Sequence, residues 1–329
     1  KFLLKKKYIV HGVKRRHSTL NTYRIDDIYK DPFSKKSNFF LHYGDITDSL
    51  SIFKIINKVK PDEIYNLAAQ SHVAVSFQLP EFTTNVDAVG TLRILDAIVQ
   101  SKKKIKFYQA GSSEMFGKVF ETPQTEKTPF YPRSPYGVAK LYSHWITVNY
   151  RESYNLFACN GILFNHESPL RGETFVTKKV VKALCRIKQK KQKKLFVGNL
   201  YSKRDWGHAK DYVKAMWKIL QNNMPEDFII CTGKQYTIKQ FINMVAKELN
   251  LKIKWKGKGL KEKAYDEKNN SIIECSKKYL RPAEVDTLKG NFSKAKKILK
   301  WKPEHDLKSL IKDMISYELN YFEWTKNQK

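Results

Sequence analysis

Long apolar runs are the first feature that this sequence of 329 residues lacks. No stretch approaches the roughly 18 consecutive apolar residues that a membrane-spanning helix needs. The amino-terminal stretch from Lys1 to Lys7 has no apolar centre of the kind that a secretory signal carries. We therefore expect neither a membrane-spanning segment nor a secretory signal.

Cysteine is also scarce. The four cysteines lie far apart and form no C-x-x-C pair: Cys159, Cys185, Cys231 and Cys275. Without closely spaced cysteines, neither a zinc site nor a disulfide framework is predicted. The pattern is typical of a reducing compartment, so we expect a cytoplasmic protein without a bound metal.

Acidic residues are outnumbered, with 32 Asp and Glu against 62 Lys and Arg and a net charge of +30. An excess of this size is compatible with a nucleic-acid or anionic-surface ligand. It is mostly lysine in runs such as 188–194 and 252–263, and aromatic residues are not interleaved as on a platform that stacks bases. We therefore predict ligands that carry phosphate rather than nucleic acid, and interpret the lysine runs as solvated surface.

Strand and helix patterns alternate along the first half of the chain, with short connections. This is typical of a parallel sheet with right-handed crossovers, a doubly wound α/β fold of the Rossmann type. We predict a Rossmann-like domain over 1–165, with its sheet completed by a segment near 195–232. Residues 166–329 would mostly form a smaller mixed α/β domain that binds substrate, and the lysine-rich segment 256–276 is predicted to be a mobile loop. Strands are predicted at 8–13, 39–43, 64–69, 104–109, 155–163, 195–197 and 228–230.

A glycine-rich phosphate turn, which usually follows the first strand of such a fold, is missing. No G-x-x-G-x-x-G spacing precedes Tyr8, there is no initiator Met, and the pattern begins about one strand and one helix late. Without those backbone N–H groups and the helix dipole, the pyrophosphate of a dinucleotide has no cradle. We therefore expect a fragment of a longer protein, and we expect residues 1–329 to bind a dinucleotide weakly or not at all.

Polar side chains follow several predicted strands, at the edge where open α/β sheets bind ligands. The loop from Lys14 to Thr19 carries Arg15 and Arg16, which suit a ribose 2′-phosphate and favour NADP over NAD; a solvated basic loop is the alternative. Asp45 would either accept from an adenine amine or cap the next helix. The small residues Ala68, Ala69 and Ser71, grouped at another strand end, would let the backbone approach a ligand.

Tyr136 and Lys140 are the main catalytic candidates. Ser134 and Pro135 suit a helix start, which places Tyr136 and Lys140 four residues apart on one face. A phenol with a pKa of about 10 is a poor base, but a nearby ammonium favours the phenolate. The pair therefore predicts a general base for alcohol oxidation, with an exposed helix turn as the alternative.

Ser112 and Glu114 flank the end of an upstream strand. A hydroxyl there can hold a substrate hydroxyl, and a carboxylate can act as general acid or base. The alternative is that both cap a loop.

Longer motifs surround these candidates: Tyr131 to Tyr136, Asn165 to Pro169, Arg171 to Phe175 and Arg204 to His208. With Ser112, Glu114, Tyr136 and Lys140 they make the chain resemble the GDP-mannose 4,6-dehydratase family of extended short-chain dehydrogenases from end to end. The resemblance implies NADP-dependent dehydration of GDP-mannose to GDP-4-keto-6-deoxy-mannose by internal hydride transfer, the first step of GDP-fucose synthesis. It also implies a homo-oligomer, either a dimer or a tetramer.

The resemblance further implies a role for each residue. Tyr136 would remove the 4-hydroxyl proton, Glu114 would take the C5 proton and help water leave C6, and Ser112, where the family often has Thr, would hold the 4-hydroxyl. Lys140 would bond the nicotinamide ribose, and Phe82 replaces a tyrosine that commonly contacts the cofactor. The implied cofactor contacts are Arg15, Arg16, Asp45, Ile46, Leu67, Ala69, Ser71, Lys140, His166 and Arg171, and the implied nucleotide-sugar contacts are Asn165, Arg204, Arg281 and Glu284.

Alternatives stay open. One is a dehydratase or epimerase for another nucleotide sugar, although Glu114 favours dehydration because 4-epimerisation needs no C5 base. A second is an inactive fragment or regulatory paralogue, which the missing glycine turn supports. A third is a basic RNA-binding protein.

Overall fold

The computed structural model describes residues 1–18, 22–29 and 37–326, so Thr19 of the predicted basic loop lies outside it. The chain forms two compact units. Unit 1 comprises Lys1–Ser112, Pro135–Gly161 and Val213–Asp227, and unit 2 comprises Ser113–Ser134, Ile162–Tyr212 and Phe228–Lys329.

The helices and strands are numbered in chain order. The α-helices are α1 (Phe2–Lys5), α2 (Ser49–Val59), α3 (Val73–Gln78), α4 (Pro80–Thr83), α5 (Gly90–Ser101), α6 (Pro135–Ser153), α7 (Val176–Lys188), α8 (Ala209–Leu220), α9 (Ile238–Glu248), α10 (Ser293–Ile298) and α11 (Leu307–Lys326). The strands are β1 (Val10–Lys14), β2 (Phe39–Tyr43), β3 (Glu63–Asn66), β4 (Lys106–Ala110), β5 (Ala158–Leu163), β6 (Asn165–Glu167), β7 (Leu195–Val197), β8 (Lys203–Arg204), β9 (Trp206–His208), β10 (Phe228–Ile230), β11 (Tyr236–Thr237), β12 (Lys254–Lys256), β13 (Lys263–Tyr265) and β14 (Ser271–Cys275). A π-helical turn, Thr84–Val89, joins α4 to α5. None of the described helices combines the length and apolarity that crossing a membrane requires.

Parallel strands form the framework of unit 1, which confirms the predicted α/β class. β1 pairs with β2 in parallel, with Val10 opposite Phe39. β3 and β4 pair in parallel with Ile64 opposite Phe107, and β4 pairs with β5 with Phe107 opposite Ala158. Central β4 therefore has a hydrogen-bonded neighbour on each side, and its carboxyl end leads directly to Ser112.

Helices cover this sheet with apolar faces. α5 buries Ile94, Leu95 and Ile98 in one core with Phe107 of β4 and with α2. The N-cap of α2 is Asp48, whose side chain accepts from the backbone N–H groups of residues 50 and 51.

The edges of β1 and β3 that face each other differ from the paired edges of β3, β4 and β5. They border a cavity of about 920 Å³, and within the described ranges no strand ladder joins β1 to β3. Their amino ends are close, since the Tyr8 hydroxyl lies 3.4 Å from a Glu63 carboxylate oxygen. Ile9, which immediately precedes β1, and Val13 of β1 are 66% and 50% exposed, although apolar residues are usually buried in a parallel sheet.

Unit 2 is built around a four-stranded sheet in the order β12-β13-β14-β7. β12, β13 and β14 pair antiparallel, and β14 pairs with β7 in parallel. Helices α7, α9 and α11 pack together in the core of this unit through residues such as Leu184, Phe241 and Leu310. Two short ladders, β6 with β9 and β8 with β11, complete it.

The prediction of a mobile loop over 256–276 is wrong, because this segment supplies β13 and β14. Buried Ala264 and Ile273 point into the core, while Lys254 and Lys256 of the adjoining β12 are exposed. Because lysine is frequent in this segment, its composition suggested a loop, although its strands are half buried. Two short strands, β8 and β9, precede α8, which begins at Ala209.

Candidate active site

Tyr136 and Lys140 lie in unit 1 on the first turns of α6, as their spacing predicted. Both side chains are buried, and Lys140 is 3% exposed. The Lys140 ammonium donates to the Ala110 carbonyl at the end of β4 at 3.0 Å and lies 5.9 Å from the centroid of the Tyr136 ring. The lysine is thus fixed by the sheet and stands beside the phenol.

Ser112 follows the same strand end in unit 1. The Gly111 N–H donates to the Gly161 carbonyl at 2.9 Å, which extends the β4–β5 ladder up to Ser112. Ser112 is buried, and it lies two residues beyond the carbonyl that holds Lys140. The structure therefore brings the predicted hydroxyl, phenol and ammonium to one strand end and one helix start.

The burial of Lys140 has an electrostatic consequence. Burial lowers its pKa, and the Asp87 carboxylate opposes that effect. Burial also raises the pKa of Asp87 to about 6, against the Lys140 charge and a hydrogen bond from Gln70. Asp87 was not among the predicted site residues, and its signal in the sequence is an acid between the apolar Val86 and Ala88.

Five predicted cofactor residues line the cavity beside β1 and β3: Arg15, Asp45, Ile46, Leu67 and Ala69. Asp45 does not cap α2, since Asp48 does. Instead an Asp45 oxygen accepts from the Thr47 backbone N–H and hydroxyl at 2.9 and 2.8 Å. Arg16 stacks on Tyr43, with its guanidinium carbon 4.3 Å from the ring centroid.

This cavity suits part of a dinucleotide. It has a cation at Arg15, a carboxylate at Asp45 and the small residues Ala68 and Ala69 beside the backbone of Leu67. These groups fit a ribose and a base. Residues 1–329 contain no glycine-rich turn for the phosphates, and apolar strand edges border the same cavity.

Unit 2 gathers a second group of predicted residues around Arg204. Its guanidinium donates to the Val285 carbonyl at 2.7 Å and to Glu284 at 3.1 Å. Arg281 forms an ion pair with Glu114 at 3.5 Å. Burial lowers the pKa of Arg204, and the charges of Glu114 and Glu284 raise it again. Two carboxylates and two guanidiniums thus form one charged cluster, built from residues as far apart as 114 and 284.

Asn165 and His166 lie on β6 of unit 2, which pairs with β9. The His166 ring stacks on Tyr212 at 4.7 Å, and its Nδ1 lies 3.0 Å from the Phe164 carbonyl. Burial lowers the pKa of His166 to about 4, so the ring is neutral at pH 7. Because a carbonyl only accepts, the proton is on Nδ1, and Nε2 is an acceptor.

Arg171 is held within unit 2 by its neighbours. Its Nε forms an ion pair with Glu167 at 3.1 Å, and its guanidinium carbon lies 3.7 Å from the centroid of the Phe175 ring. Glu167 also accepts from the Thr177 hydroxyl at 2.7 Å. The arginine is thus oriented by the protein itself.

Metal-ligand clusters are not found among the described residues, in which no three His, Cys, Asp or Glu side chains are arranged to hold an ion. The four cysteines are all free.

Comparison with known proteins identifies the family. A sequence model of the family described as GDP-mannose 4,6 dehydratase matches residues 1–314. The GDP-mannose 4,6-dehydratase of Vibrio cholerae serotype O1 is 55% identical over 331 residues, covering 97% of this chain and 89% of that protein. The human GDP-mannose 4,6 dehydratase is 51% identical over 330 residues, covering 99% of this chain and 89% of that protein.

Solved structures agree on the fold. A dTDP-glucose 4,6-dehydratase from Streptomyces venezuelae, solved with NAD and TYD bound, matches with a TM-score of 0.80 at 18% identity, covering 98% of this chain and 92% of that one. RMD from Pseudomonas aeruginosa, complexed with NADPH, matches with a TM-score of 0.73 at 21% identity, covering 91% and 94%. At such identities the likeness shows the fold alone, whereas the family model and the relatives above 50% identity show the family. The chain belongs to the GDP-mannose 4,6-dehydratase family.

Proposed function

We propose that the protein converts GDP-mannose to GDP-4-keto-6-deoxy-mannose and water, with NADP as cofactor. The observation that carries the proposal is the buried Tyr136–Lys140 pair, anchored to the carboxyl end of β4 beside Ser112. Family membership supports the substrate, and the charged cluster of Glu114, Arg204 and Arg281 supports an anionic sugar nucleotide.

Tyr136 begins the reaction by removing the proton of the mannose 4-hydroxyl, which Ser112 holds. Lys140 lowers the pKa of the phenol through its charge and bonds the nicotinamide ribose. When bound, the nicotinamide would supply the hydride chemistry of the reaction, in which C4 is oxidised, C6 is reduced and the cofactor is unchanged overall. The 4-ketone then makes the C5 proton acidic.

Glu114 takes the C5 proton and gives a proton to the hydroxyl that leaves C6 as water. The Arg281 ion pair orients this carboxylate before substrate binds. A carboxylate in this role explains why the family reaction is a dehydration, since moving a proton at C5 requires a base of its own.

Arg204 and Arg281 bind the diphosphate of the sugar nucleotide, with Asn165 and Glu284 as further contacts. Guanidiniums suit this role because their planar donors match phosphate oxygens in pairs. The Arg204–Glu284 contact at 3.1 Å keeps one arginine in place.

The cofactor is NADP rather than NAD in this proposal. Arg15 lines the cavity and Arg16 lies over Tyr43, and these two cations support a cofactor that carries a 2′-phosphate. Asp45, Ile46, Leu67, Ala69 and Ser71 contact the rest of that half, while His166 and Arg171 contact the nicotinamide half.

Residues 1–329 are expected to bind NADP⁺ weakly or not at all, because the phosphates lack a glycine-rich turn. Isothermal titration calorimetry of residues 1–329 with NADP⁺ checks the expectation. Tight binding by residues 1–329 would contradict it.

Domain roles, assembly and location are part of the same proposal. Residues 1–165 bind the cofactor, with the segment near 195–232 completing their sheet, and 166–329 mostly bind the sugar nucleotide.

The protein assembles as a homodimer or tetramer. The exposed apolar stripe Val138, Tyr142 and Trp145 on α6 supports this assembly, since Trp145 is 56% exposed. Sedimentation that shows only a monomer would refute the assembly. Four free cysteines support a cytoplasmic location.

Incubation of the full-length protein with GDP-mannose and NADP⁺ tests the reaction directly. The expected outcome is the 4-keto-6-deoxy product, detected by mass spectrometry as loss of water, without net formation of NADPH. No product from the full-length protein would overturn the proposal. Turnover of a different nucleotide sugar in a substrate panel would correct the substrate and keep the chemistry.

A further inference from the structure

Asp87 is a buried carboxylate to which the proposed mechanism assigns no role. It lies in the π-helical turn Thr84–Val89 and is 1% exposed. Such turns are rare and often occur at functional positions. The turn packs against α6, the helix that carries Tyr136 and Lys140.

Only one oxygen of this carboxylate is held by a donor within the described chain. Oδ1 accepts from the backbone N–H of Gln70 at 2.6 Å. Oδ2 is buried without a hydrogen-bond partner in the part of the chain that the structure describes. A buried ionised oxygen without a donor is costly unless a positive charge lies nearby. A cation close to Oδ2 would therefore stabilise the buried carboxylate.

Lys140 supplies this positive charge. Ser143, which shares its helix face, donates its hydroxyl to the Asp87 backbone carbonyl at 2.6 Å, so this face of α6 lies against the π-helical turn. Burial is the larger influence on both groups, lowering the pKa of Lys140 and raising that of Asp87. Each charge opposes the effect of burial on the other.

A buried polar network holds the π-helical turn to the sheet. The Asp87 carbonyl also accepts from the Thr91 hydroxyl at 3.0 Å. Thr91 lies 3.3 Å from the amide oxygen of Gln109 on β4, which accepts from Asn66 on β3 at 2.8 Å. The carboxylate is therefore fixed relative to the strand end that anchors Lys140.

Other titratable groups surround this pair and have electrostatic partners of their own. His144 of α6 is affected by Asp227 and Arg151, and Arg93 of α5 donates to Asn85 at 2.8 Å. Lys140 is the side-chain charge that acts on Asp87. The packed elements carry further titratable groups: Glu81 of α4, Asp96 of α5, Lys106 and Tyr108 of β4, Tyr136, Tyr142, Tyr150 and Glu152 of α6, and His72 at the start of α3.

We propose that Asp87 is the counter-charge of Lys140: its carboxylate keeps the buried lysine an ammonium and thereby sets the basicity of Tyr136. Asp87 is a positioning residue, since it acts through Lys140 rather than on substrate. This inference rests on the proposed dehydration for its kinetic consequence, but the charge pairing itself is testable without turnover.

A double-mutant cycle tests the pairing in the full-length protein. Asp87→Asn keeps an oxygen for the Gln70 N–H and removes the charge, and Lys140→Met removes the cation. Each single variant should unfold more readily, because it leaves one buried charge without its partner. Each single variant raises the unfolding equilibrium constant by some factor. In the double variant this factor should be on the order of 10-fold smaller than the product of the two single factors. Effects that multiply within about 2-fold would overturn the pairing.

The kinetic consequence is read from the pH profile. In Asp87→Asn, Lys140 should lose its proton at lower pH, so the phenolate of Tyr136 loses its stabilising charge. The pH at half-maximal rate should rise by about one unit or more. A lower rate with an unmoved profile would mean that Asp87 is merely structural and would overturn the proposal.

Asp205→Asn is the matched control. Asp205 is equally buried, and burial raises its pKa to about 6 as well, but its oxygens accept from Thr232 and Gly233. Its loss should destabilise the protein and leave the pH profile in place, with no coupling to Lys140→Met. If the full-length protein makes no product at all, the proposed function fails, while the mutant cycle still decides the pairing.

Discussion

Two strands of unit 1, β4 and β1, lead into residues of the proposed active site, but the two strands are packed very differently. β4 has parallel neighbours on both sides, and Phe107, Tyr108 and Gln109 are fully buried. β1 pairs with β2 alone among the described strands, and its other edge borders a cavity of about 920 Å³. The apolar Ile9, which immediately precedes β1, and Val13 of β1 line this cavity and are largely exposed.

The difference separates the acid–base half of the site from its cofactor half. Lys140 is tied to the last carbonyl of β4, so the packing of a central strand fixes the catalytic pair. Arg15 instead follows β1, a strand with one open edge in the described structure. The acid–base groups are thus preorganised by a complete core, while the proposed cofactor contacts depend on a sheet edge that lacks a partner strand among the described residues.

Tyr136→Phe should give the largest effect. The change removes the proposed base from the acid–base half of the site and leaves the ring. The rate of product formation in the full-length protein should therefore fall roughly 10²- to 10⁴-fold. Steady-state assay of the keto product, with melting temperature measured alongside, checks this. Tyr142→Phe on the exposed face of the same helix is the control and should stay near wild type. Equal losses in both variants would show that α6 needs hydroxyls for structure.

Phe107→Ala should give the next effect, by opening the core under β4. Truncating a fully buried phenylalanine costs about 3–5 kcal/mol of unfolding free energy. Ile9→Ala, immediately before β1, should cost less than about 0.5 kcal/mol, because an exposed side chain gives up little burial. Urea titrations of both variants measure the contrast. Comparable losses would mean that Ile9 is covered in solution, and the contrast between the two strands would disappear.

Local signals were enough to predict much of this fold. β2 spans the predicted Phe39–Tyr43, and α9 begins at a local capping box formed by the side chains of Thr237 and Gln240. The Tyr136–Lys140 spacing placed both side chains because a helix start and a four-residue separation fix their direction. In each case the determining residues lie within one element.

Tertiary features were not predictable in the same way. The Arg204–Glu284 and Arg281–Glu114 pairs join residues 80 and 167 positions apart. The role of Asp87 depends on a π-helical turn and on its packing against α6, neither of which leaves a periodic pattern. The strands within 256–276 were missed because lysines are frequent in the residues around them, although Ala264 and Ile273 of the strands are buried.

Asp227→Asn should give a smaller loss of unfolding free energy, and this loss should depend on pH. Asp227 accepts from Arg151 of α6 and from the Asn160 backbone N–H of β5, at 2.9 and 2.8 Å. Burial disfavours its charge, but these partners outweigh burial and hold its pKa below the ordinary value. The stabilisation is therefore present above pH ~4 and is lost as pH falls through the lower folded-state pKa. Thermal melts at pH 7 should show a loss of about 2 kcal/mol for the variant, shrinking in acid; a constant loss would assign the effect to packing alone.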